Sequence, residues 1–136
     1  MSTSSAPALA VEGLRVAYPD GTLALDGLEA TLERGGALVV IGESGSGKST
    51  LLAAILGLLP KRATVTGSVR VDGVEQVGAS RRSAREVRRR RVGYVPQDPY
   101  AAIDPLRSVV HHVRFAALSL GIQRVHEAKQ MRGLFP

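Results

Sequence analysis

Three glycines and a lysine occur at fixed spacing in residues 42–50, between two apolar runs. The nonapeptide Gly-Glu-Ser-Gly-Ser-Gly-Lys-Ser-Thr fits the pattern G-x-x-x-x-G-K-S/T. The run before it, residues 37–41, is short, apolar and partly β-branched, as in a buried parallel strand. The run after it, residues 51–59, has the composition of a buried helix that is closed by Pro60. The sequence therefore predicts a strand, a glycine-rich loop and a helix in succession.

A loop of this composition in this position is typical of a phosphate-binding site. Glycine lacks a Cβ atom, so the backbone can approach a bulky anion, and successive N–H groups converge on that anion at a helix N-terminus. Lys48 is predicted to reach the β- and γ-phosphates of a nucleotide, and the Ser49 hydroxyl to bind Mg²⁺. The alternative is a surface turn that matches the pattern by chance. The nucleotide-binding residues predicted in the loop are Gly42, Glu43, Ser44, Gly45, Ser46, Gly47, Lys48, Ser49 and Thr50.

The composition limits the class of protein. A chain of 136 residues that is 44% hydrophobic is expected to form one globular domain. The absence of cysteine excludes disulfides and thiolate metal sites, and His111, His112 and His126 are not spaced to share a metal ion. No apolar run reaches the about 20 residues that span a bilayer, and residues 1–12 lack a signal-peptide pattern. A cytoplasmic protein is therefore expected.

The formal net charge of +6 comes from one segment. Residues 81–91 contain seven arginines and one glutamate, so the charges in the rest of the chain sum to zero. A solvated helix face is the first interpretation of this run, and an acidic partner surface is the second. Nucleic acid is the least expected partner, because no aromatic residue lies among the arginines to stack on bases.

Two segments before the glycine loop have the pattern of strands. Residues 9–18 and 22–32 alternate in polarity, and the Pro-Asp-Gly turn at 19–21 joins them. This arrangement suggests an antiparallel layer beside a parallel core. Tyr18 ends the first strand, where its ring would either stack on an adenine or cap the edge of the core.

Turn and capping signals predict the remaining elements. Asp72-Gly73 indicates a hairpin within residues 64–75, and Ser108 is a suitable N-cap for a helix that runs to residue 120. The other expectations are a helix at 80–91, a short strand at 92–95, a short helix at 123–132 and a disordered tail at 1–8.

These parts occur in the same order in a known family. Tyr18, the loop at 42–50, the Asp72-Gly73 hairpin and Val-Gly-Tyr-Val-Pro-Gln-Asp-Pro at 92–99 resemble the ATP-binding subunits of ABC transporters. The loop sequence is similar to that of the peptide/nickel importer branch of this family, and so are Gln-Asp-Pro at 97–99 and Ile-Asp-Pro at 103–105.

The resemblance implies a fold class and a division of the chain. The expected class is α/β, a P-loop NTPase core with an antiparallel β layer and the start of a helical subdomain, incomplete. Residues 9–97 would be the N-terminal part of the nucleotide-binding domain. Residues 98–136 would begin the helical subdomain.

The resemblance also implies ligands, partners and roles for single residues. Tyr18 matches the aromatic residue that stacks on the adenine of ATP, and Lys48 and Ser49 match the phosphate and Mg²⁺ ligands. Gln97 matches the glutamine that reaches the Mg²⁺ and the attacking water. The implied activity is ATP hydrolysis coupled to uptake of peptides or a similar solute. The implied partners are membrane-spanning subunits and a second ATP-binding subunit, with the protein peripheral to the inner face of the cell membrane.

The departures from the family pattern concern catalysis. The 39 residues after Gln97 contain no Leu-Ser-Gly-Gly-Gln signature, no apolar run that ends in Asp-Glu and no switch histidine after it. Phosphoryl transfer to water needs a positioned base and charge stabilisation. We therefore expect a truncated form that binds ATP and does not hydrolyse it alone, with residues 37–41 as an exposed apolar edge. The alternatives are another P-loop enzyme such as a small-molecule kinase, or a nucleic-acid-binding module that uses the arginines of 81–91.

Overall fold

The computed structural model describes residues 6–95, 98 and 104–114. The chain divides into two compact units, Met1–Arg91 and Val92–Pro136. Among the described residues, no helix is long and apolar enough to cross a membrane.

An antiparallel pair of long strands begins the first unit. Strand β1 is Leu9–Ala17 and strand β2 is Leu23–Leu32. The turn between them is closed by the Tyr18 N–H, which donates to the Thr22 carbonyl at 2.9 Å, and by the Asp20 carboxylate, which accepts from the Thr22 N–H at 2.9 Å. These two hydrogen bonds fix the end of β1, where Tyr18 lies.

A second hairpin completes the sheet. Strand β3 is Thr64–Val71 and strand β4 is Val74–Glu75, and the strand order is β2-β1-β3-β4 with every pair antiparallel. Asp72 and Gly73 have φ values of 49° and 77°, as a two-residue hairpin with positive φ at both central positions requires. The antiparallel layer and the hairpin predicted from the sequence are confirmed. The core of the sheet consists of Leu9, Val11, Leu14, Val16, Val69 and Val71.

Two helices accompany the sheet. Helix α1 is Lys48–Ile55 and helix α2 is Arg81–Arg90. The Ser80 hydroxyl caps α2 by accepting from the Ser83 N–H at 3.2 Å, so the predicted arginine-rich helix is confirmed. Ala84 and Val87 are its buried residues.

Helix α1 ends earlier than the sequence predicts. We expected the helix to continue to residue 59, but Gly57 has a φ of 60°. Its N–H donates to the Ala54 carbonyl at 3.0 Å, and the Leu58 N–H donates to the Ala53 carbonyl at 2.8 Å. This is the hydrogen-bond pattern of a Schellman motif, which terminates a helix at a left-handed glycine.

Two predicted strands are absent from the described residues. Residues 37–41 form no strand or helix, and Val39 and Ile41 are 76% and 89% exposed. Residues 92–95 likewise form no strand, and Val95 is 89% exposed. The predictions of a buried strand at 37–41 and of a short strand at 92–95 were wrong, because an apolar run joins a sheet only where neighbouring strands pair with it. Residues 37–41 are exposed, as expected, but they are not the edge of a sheet.

Residues 6–8, which the sequence places in a disordered tail, contact the sheet. The Ala8 carbonyl accepts from the Asp72 N–H at 3.0 Å, and the Ala6 carbonyl accepts from the Arg34 side chain at 3.3 Å. Residues 1–5 lie outside the described residues.

The described part of the second unit contains the start of the helix that Ser108 was predicted to cap. The Ser108 hydroxyl accepts from the His111 N–H at 3.3 Å, and residues 109–114 are helical. The predicted end of this helix at residue 120 and the predicted helix at 123–132 lie outside the described residues.

Candidate nucleotide-binding site

The glycine loop is a tight turn that packs on strand β2. Gly45 and Gly47 have φ values of 83° and 87°, in the left-handed region that favours glycine. A Cβ atom on Gly47 would lie 2.4 Å from the Ala24 carbonyl oxygen and 2.8 Å from a methyl group of Leu25. A Cβ atom on Gly42 would lie 2.5 Å from the Ser46 hydroxyl. The positive φ and the close approach to the Ala24 carbonyl both require glycine at 47, whereas a Cβ atom at 42 would require the Ser46 side chain to move.

Lys48 folds back over this loop. Its ammonium donates to the Gly42 carbonyl at 2.7 Å, to the Glu43 carbonyl, and to the Ser46 hydroxyl at 3.1 Å. The ammonium group is thus held over the turn by hydrogen bonds to uncharged oxygen atoms. If a phosphate oxygen took the place of one of these neutral oxygens, Lys48 would donate to a charged acceptor. Hydrogen bonds to charged acceptors are roughly twice as strong as those between neutral groups.

The N-terminus of α1 is open to an anion. Gly47 is the N-cap and provides no side-chain hydrogen bond, and the first turn contains no acidic residue. The first N–H groups of a helix have no intrahelical acceptor and form the positive end of the helix dipole. These N–H groups and the Lys48 ammonium therefore place positive charge at the same end of α1.

The Ser49 side chain is exposed in the first turn of α1. A hydroxyl is one of the oxygen ligands that Mg²⁺ accepts, and Mg²⁺ usually takes its other ligands from substrate phosphates and water. Among the described residues, no group of three or more His, Asp or Glu side chains could hold a metal ion. The exposed Ser49 hydroxyl fits one ligand position of such an ion. Gln97, the second predicted Mg²⁺ ligand, lies outside the described residues.

Tyr18 is brought to the first turn of α1. Its hydroxyl and the Thr50 hydroxyl are 3.2 Å apart, Thr50 is buried, and Tyr18 is half-buried. The structure therefore joins Tyr18 to a residue of the loop across 32 positions of sequence. It also gives the Thr50 hydroxyl a side-chain partner within the chain.

The turn after Tyr18 is held by a carboxylate. The hydrogen bonds from the backbone N–H and then the side chain of Thr22 lower the pKa of Asp20 below its ordinary value. Asp20 is therefore ionised at neutral pH, and it fixes the chain direction next to the aromatic ring.

Arg88 is a residue that sequence reasoning missed. Its guanidinium donates to the Leu56 carbonyl at 2.6 Å and to the Gly57 carbonyl at 3.4 Å. These carbonyls end the helix whose first turn contains Lys48 and Ser49, and cations stabilise helix C-termini. The sequence gives no signal for this contact, because Arg88 is one of seven arginines in its segment.

The glycine loop, the lysine that folds over it and the open helix N-terminus define a P-loop nucleotide-binding protein. The chain belongs to the ABC transporter family, whose family model matches residues 25–134. The resemblance stated from the sequence is thereby confirmed, and with it the P-loop NTPase fold class.

Individual relatives cover most of this chain. Oligopeptide transport ATP-binding protein OppD of Mycobacterium bovis is 39% identical over 106 residues, which are 76% of this chain and 17% of that protein. Phosphonates import ATP-binding protein PhnC of Hyphomonas neptunium is 37% identical over 83% of this chain and 40% of its own length. PhnC 2 of Halalkalibacterium halodurans is 36% identical over 93% of this chain and 52% of its own length. The chain therefore spans about half or less of these relatives.

Proposed function

We propose that this chain binds Mg-ATP as the N-terminal part of the ATP-binding subunit of an ABC importer. The observation that supports this proposal most directly is the position of the Lys48 ammonium, 2.7 Å from the Gly42 carbonyl and over the turn that it closes. Family membership over residues 25–134 supports ATP as the nucleotide.

Each part of the site has a distinct role in the proposal. The backbone N–H groups of residues 45–50 bind the β-phosphate, and Lys48 binds the β- and γ-phosphates by charge. Ser49 provides a hydroxyl ligand to Mg²⁺, and the Tyr18 ring stacks on the adenine, with Gln97 as a second contact to Mg²⁺. Bound Mg²⁺ supplies neutralisation of the charge on the phosphate oxygens.

The proposed solute is a peptide. Relatives from several organisms are named for oligopeptide transport, and the sequence at 97–99 and 103–105 resembles the same branch. Other relatives are named for phosphonate import, so a phosphonate is the alternative solute. The proposed partners are membrane-spanning subunits and a second ATP-binding subunit, at the inner face of the cell membrane.

We further propose that this 136-residue chain binds ATP without hydrolysing it. Its sequence provides a cradle for the phosphates, but no Leu-Ser-Gly-Gly-Gln signature and no Asp-Glu pair after an apolar run. Without a base to position water, and without charge stabilisation on the second side of the γ-phosphate, the barrier to phosphoryl transfer is not lowered.

Nucleotide titration with a matched pair of lysine variants tests the proposal. Lys48→Ala removes the charge over the loop and should weaken Mg-ATP binding by about ten- to a hundredfold, as expected for a hydrogen bond to a charged group. Lys61→Ala removes an exposed lysine elsewhere and should leave the affinity unchanged. Equal affinity of the two variants would contradict ATP binding at this loop. Phosphate release by the unmodified chain that Lys48→Ala abolishes would contradict the proposed lack of hydrolysis.

A further inference from the structure

The arginines of 81–91 fall into two groups in the structure. Three of them bind within the chain: Arg88 binds the end of α1, Arg90 pairs with Glu86 at 3.6 Å, and Arg91 pairs with Asp72 at 3.6 Å. The other four are exposed, and none of them forms an ion pair with any described residue. We call these four residues the cationic face of α2; they are Arg81, Arg82, Arg85 and Arg89.

The cationic face is a regular row. Arg81, Arg85 and Arg89 follow one another at four-residue intervals, so they lie on one side of the helix at steps of about 6 Å. Arg82 lies beside them. Like charges at this spacing destabilise a helix by a few tenths of a kcal/mol per pair. Glu86 is the one carboxylate of α2, and its ion pair is with Arg90. An opposing row of negative charge would offset the repulsion.

We propose that the cationic face of α2 is a docking surface for an acidic helix of a protein partner, with Asp or Glu at four-residue intervals. Charge complementarity is the argument: each guanidinium can hold one carboxylate through two parallel hydrogen bonds. Two helices with the same four-residue repeat place these groups opposite one another.

A lipid surface fits the same face less well. Helices that lie in a membrane interface insert apolar side chains next to their basic row. In α2 the apolar residues Ala84 and Val87 are 4% and 2% exposed, because they pack inside this protein. The helix therefore presents charged side chains to a membrane surface but no apolar side chain that could insert into it.

Nucleic acid also fits less well. Proteins that bind single strands combine basic residues with aromatic rings that stack on bases. Residues 80–91 contain no aromatic residue.

The proposed docking surface does not depend on ATP binding, because Lys48 is not part of it. Lys48→Ala should therefore leave binding of the acidic partner unchanged.

Fluorescence anisotropy with designed helical peptides tests the proposal on the full chain. The probe is an alanine-based peptide with Glu at every fourth position. One comparison peptide has Gln in place of each Glu, and another has the same number of Glu residues spread around the helix. We expect binding of the aligned peptide at low salt, weaker binding of the scattered one, and none of the Gln peptide.

Matched triple variants then assign the binding to α2. Arg81→Gln, Arg85→Gln and Arg89→Gln together should weaken binding of the aligned peptide by about tenfold, the sum expected for three exposed ion pairs. Gln has nearly the helix propensity of Arg, so an unchanged circular dichroism spectrum should confirm that α2 remains folded. The control removes three exposed charges elsewhere, by Lys61→Gln, Arg62→Gln and Arg114→Gln, and should have little effect.

Three results would overturn the proposal. One is failure of the chain to bind the aligned peptide, and another is equal binding of the aligned and scattered peptides. The third is that the α2 variant loses binding to anionic phospholipid vesicles or duplex DNA while its peptide binding is unaffected. That result would assign the face to lipid or nucleic acid.

Discussion

The guanidinium of Arg88 donates to the Leu56 carbonyl at 2.6 Å, and so α2 holds the last turn of α1. The residues of α1 that face the proposed nucleotide are at its other end, two turns away. A helix of eight residues with an uncapped N-terminus is marginal by itself. The contact at its C-terminus therefore contributes to the stability of the phosphate-binding turn.

We predict that Arg88→Gln lowers the free energy of unfolding by about 1–3 kcal/mol, because it removes a charged hydrogen-bond donor from partly buried carbonyls. Arg89→Gln, which changes an exposed neighbour, should alter it by less than about 0.5 kcal/mol. Urea denaturation followed by circular dichroism measures both. Equal effects of the two substitutions would show that Arg88 contributes only as surface charge.

Two substitutions of Tyr18 separate its ring from its hydroxyl. Tyr18→Phe keeps the ring and removes the bond to Thr50, so it should cost about 1 kcal/mol of stability and leave ATP affinity nearly unchanged. Tyr18→Ala should also weaken ATP binding by about five- to a hundredfold, the effect of losing a base–aromatic contact. Nucleotide titration and urea denaturation report the two effects. If Tyr18→Ala binds ATP as tightly as the unmodified chain, the tyrosine caps the core and does not stack on adenine.

The two loop glycines with positive φ differ in the space around them. A Cβ atom on Gly45 would meet nothing within 4 Å, whereas one on Gly47 would clash with the Ala24 carbonyl. Gly45→Ala should therefore cost only the dihedral strain, about 1–2 kcal/mol, and Gly47→Ala should cost clearly more because β2 must move. Thermal unfolding of the two variants compares them directly. An equal loss of stability would mean that the loop can leave β2 without penalty.

The local elements were predictable wherever a short-range signal fixes them. The turn at 19–21, the Asp72-Gly73 hairpin and the Ser108 cap each depend on two to four adjacent residues, and each lies where it was predicted. The loop at 42–50 was predictable for the same reason, since its glycines are needed by its own geometry.

Features that depend on distant partners were not predictable from the sequence. Residues 37–41 have the pattern of a buried strand, but burial requires neighbouring strands that the pattern itself does not specify. Arg88 binds Leu56 from 32 positions away, and no local feature separates it from its six neighbouring arginines. Gly57 is an exception, because a glycine within an apolar run is a local signal for the end of a helix. The prediction gave more weight to the apolar composition of residues 51–59.

The stability of the β3–β4 hairpin should depend on pH through Glu75. Partial burial raises the pKa of Glu75, but hydrogen bonds from the Ser68 hydroxyl and from the N–H groups of residues 69, 77 and 76 outweigh it, so the pKa lies below its ordinary value. The carboxylate therefore stabilises the fold fully above its unfolded-state pKa. This contribution is lost as the pH falls through the lower folded-state pKa.

Melting temperatures recorded across the acidic range measure this dependence. Glu75→Gln should lower stability at neutral pH and flatten the fall in stability below about pH 4.5, the ordinary pKa of the group. Glu33→Gln, at an exposed carboxylate, should leave stability at neutral pH nearly unchanged. If the melting temperature of Glu75→Gln fell with decreasing pH as steeply as that of the unmodified chain, the result would contradict the role of this carboxylate.

The exposed run at 37–41 should make the chain associate with itself. It belongs to no strand in the described part of the chain, and Val39 and Ile41, at 76% and 89% exposure, alternate along it. An apolar, unpaired extended segment is a template for strand pairing between molecules. Val39→Lys together with Ile41→Lys should suppress association, because like charges would meet in any such pair. Leu106→Lys, at a residue that is 94% exposed, adds one charge elsewhere and should have a smaller effect. Light scattering against protein concentration distinguishes these cases, and association that persists in the double variant would place the contact on another surface.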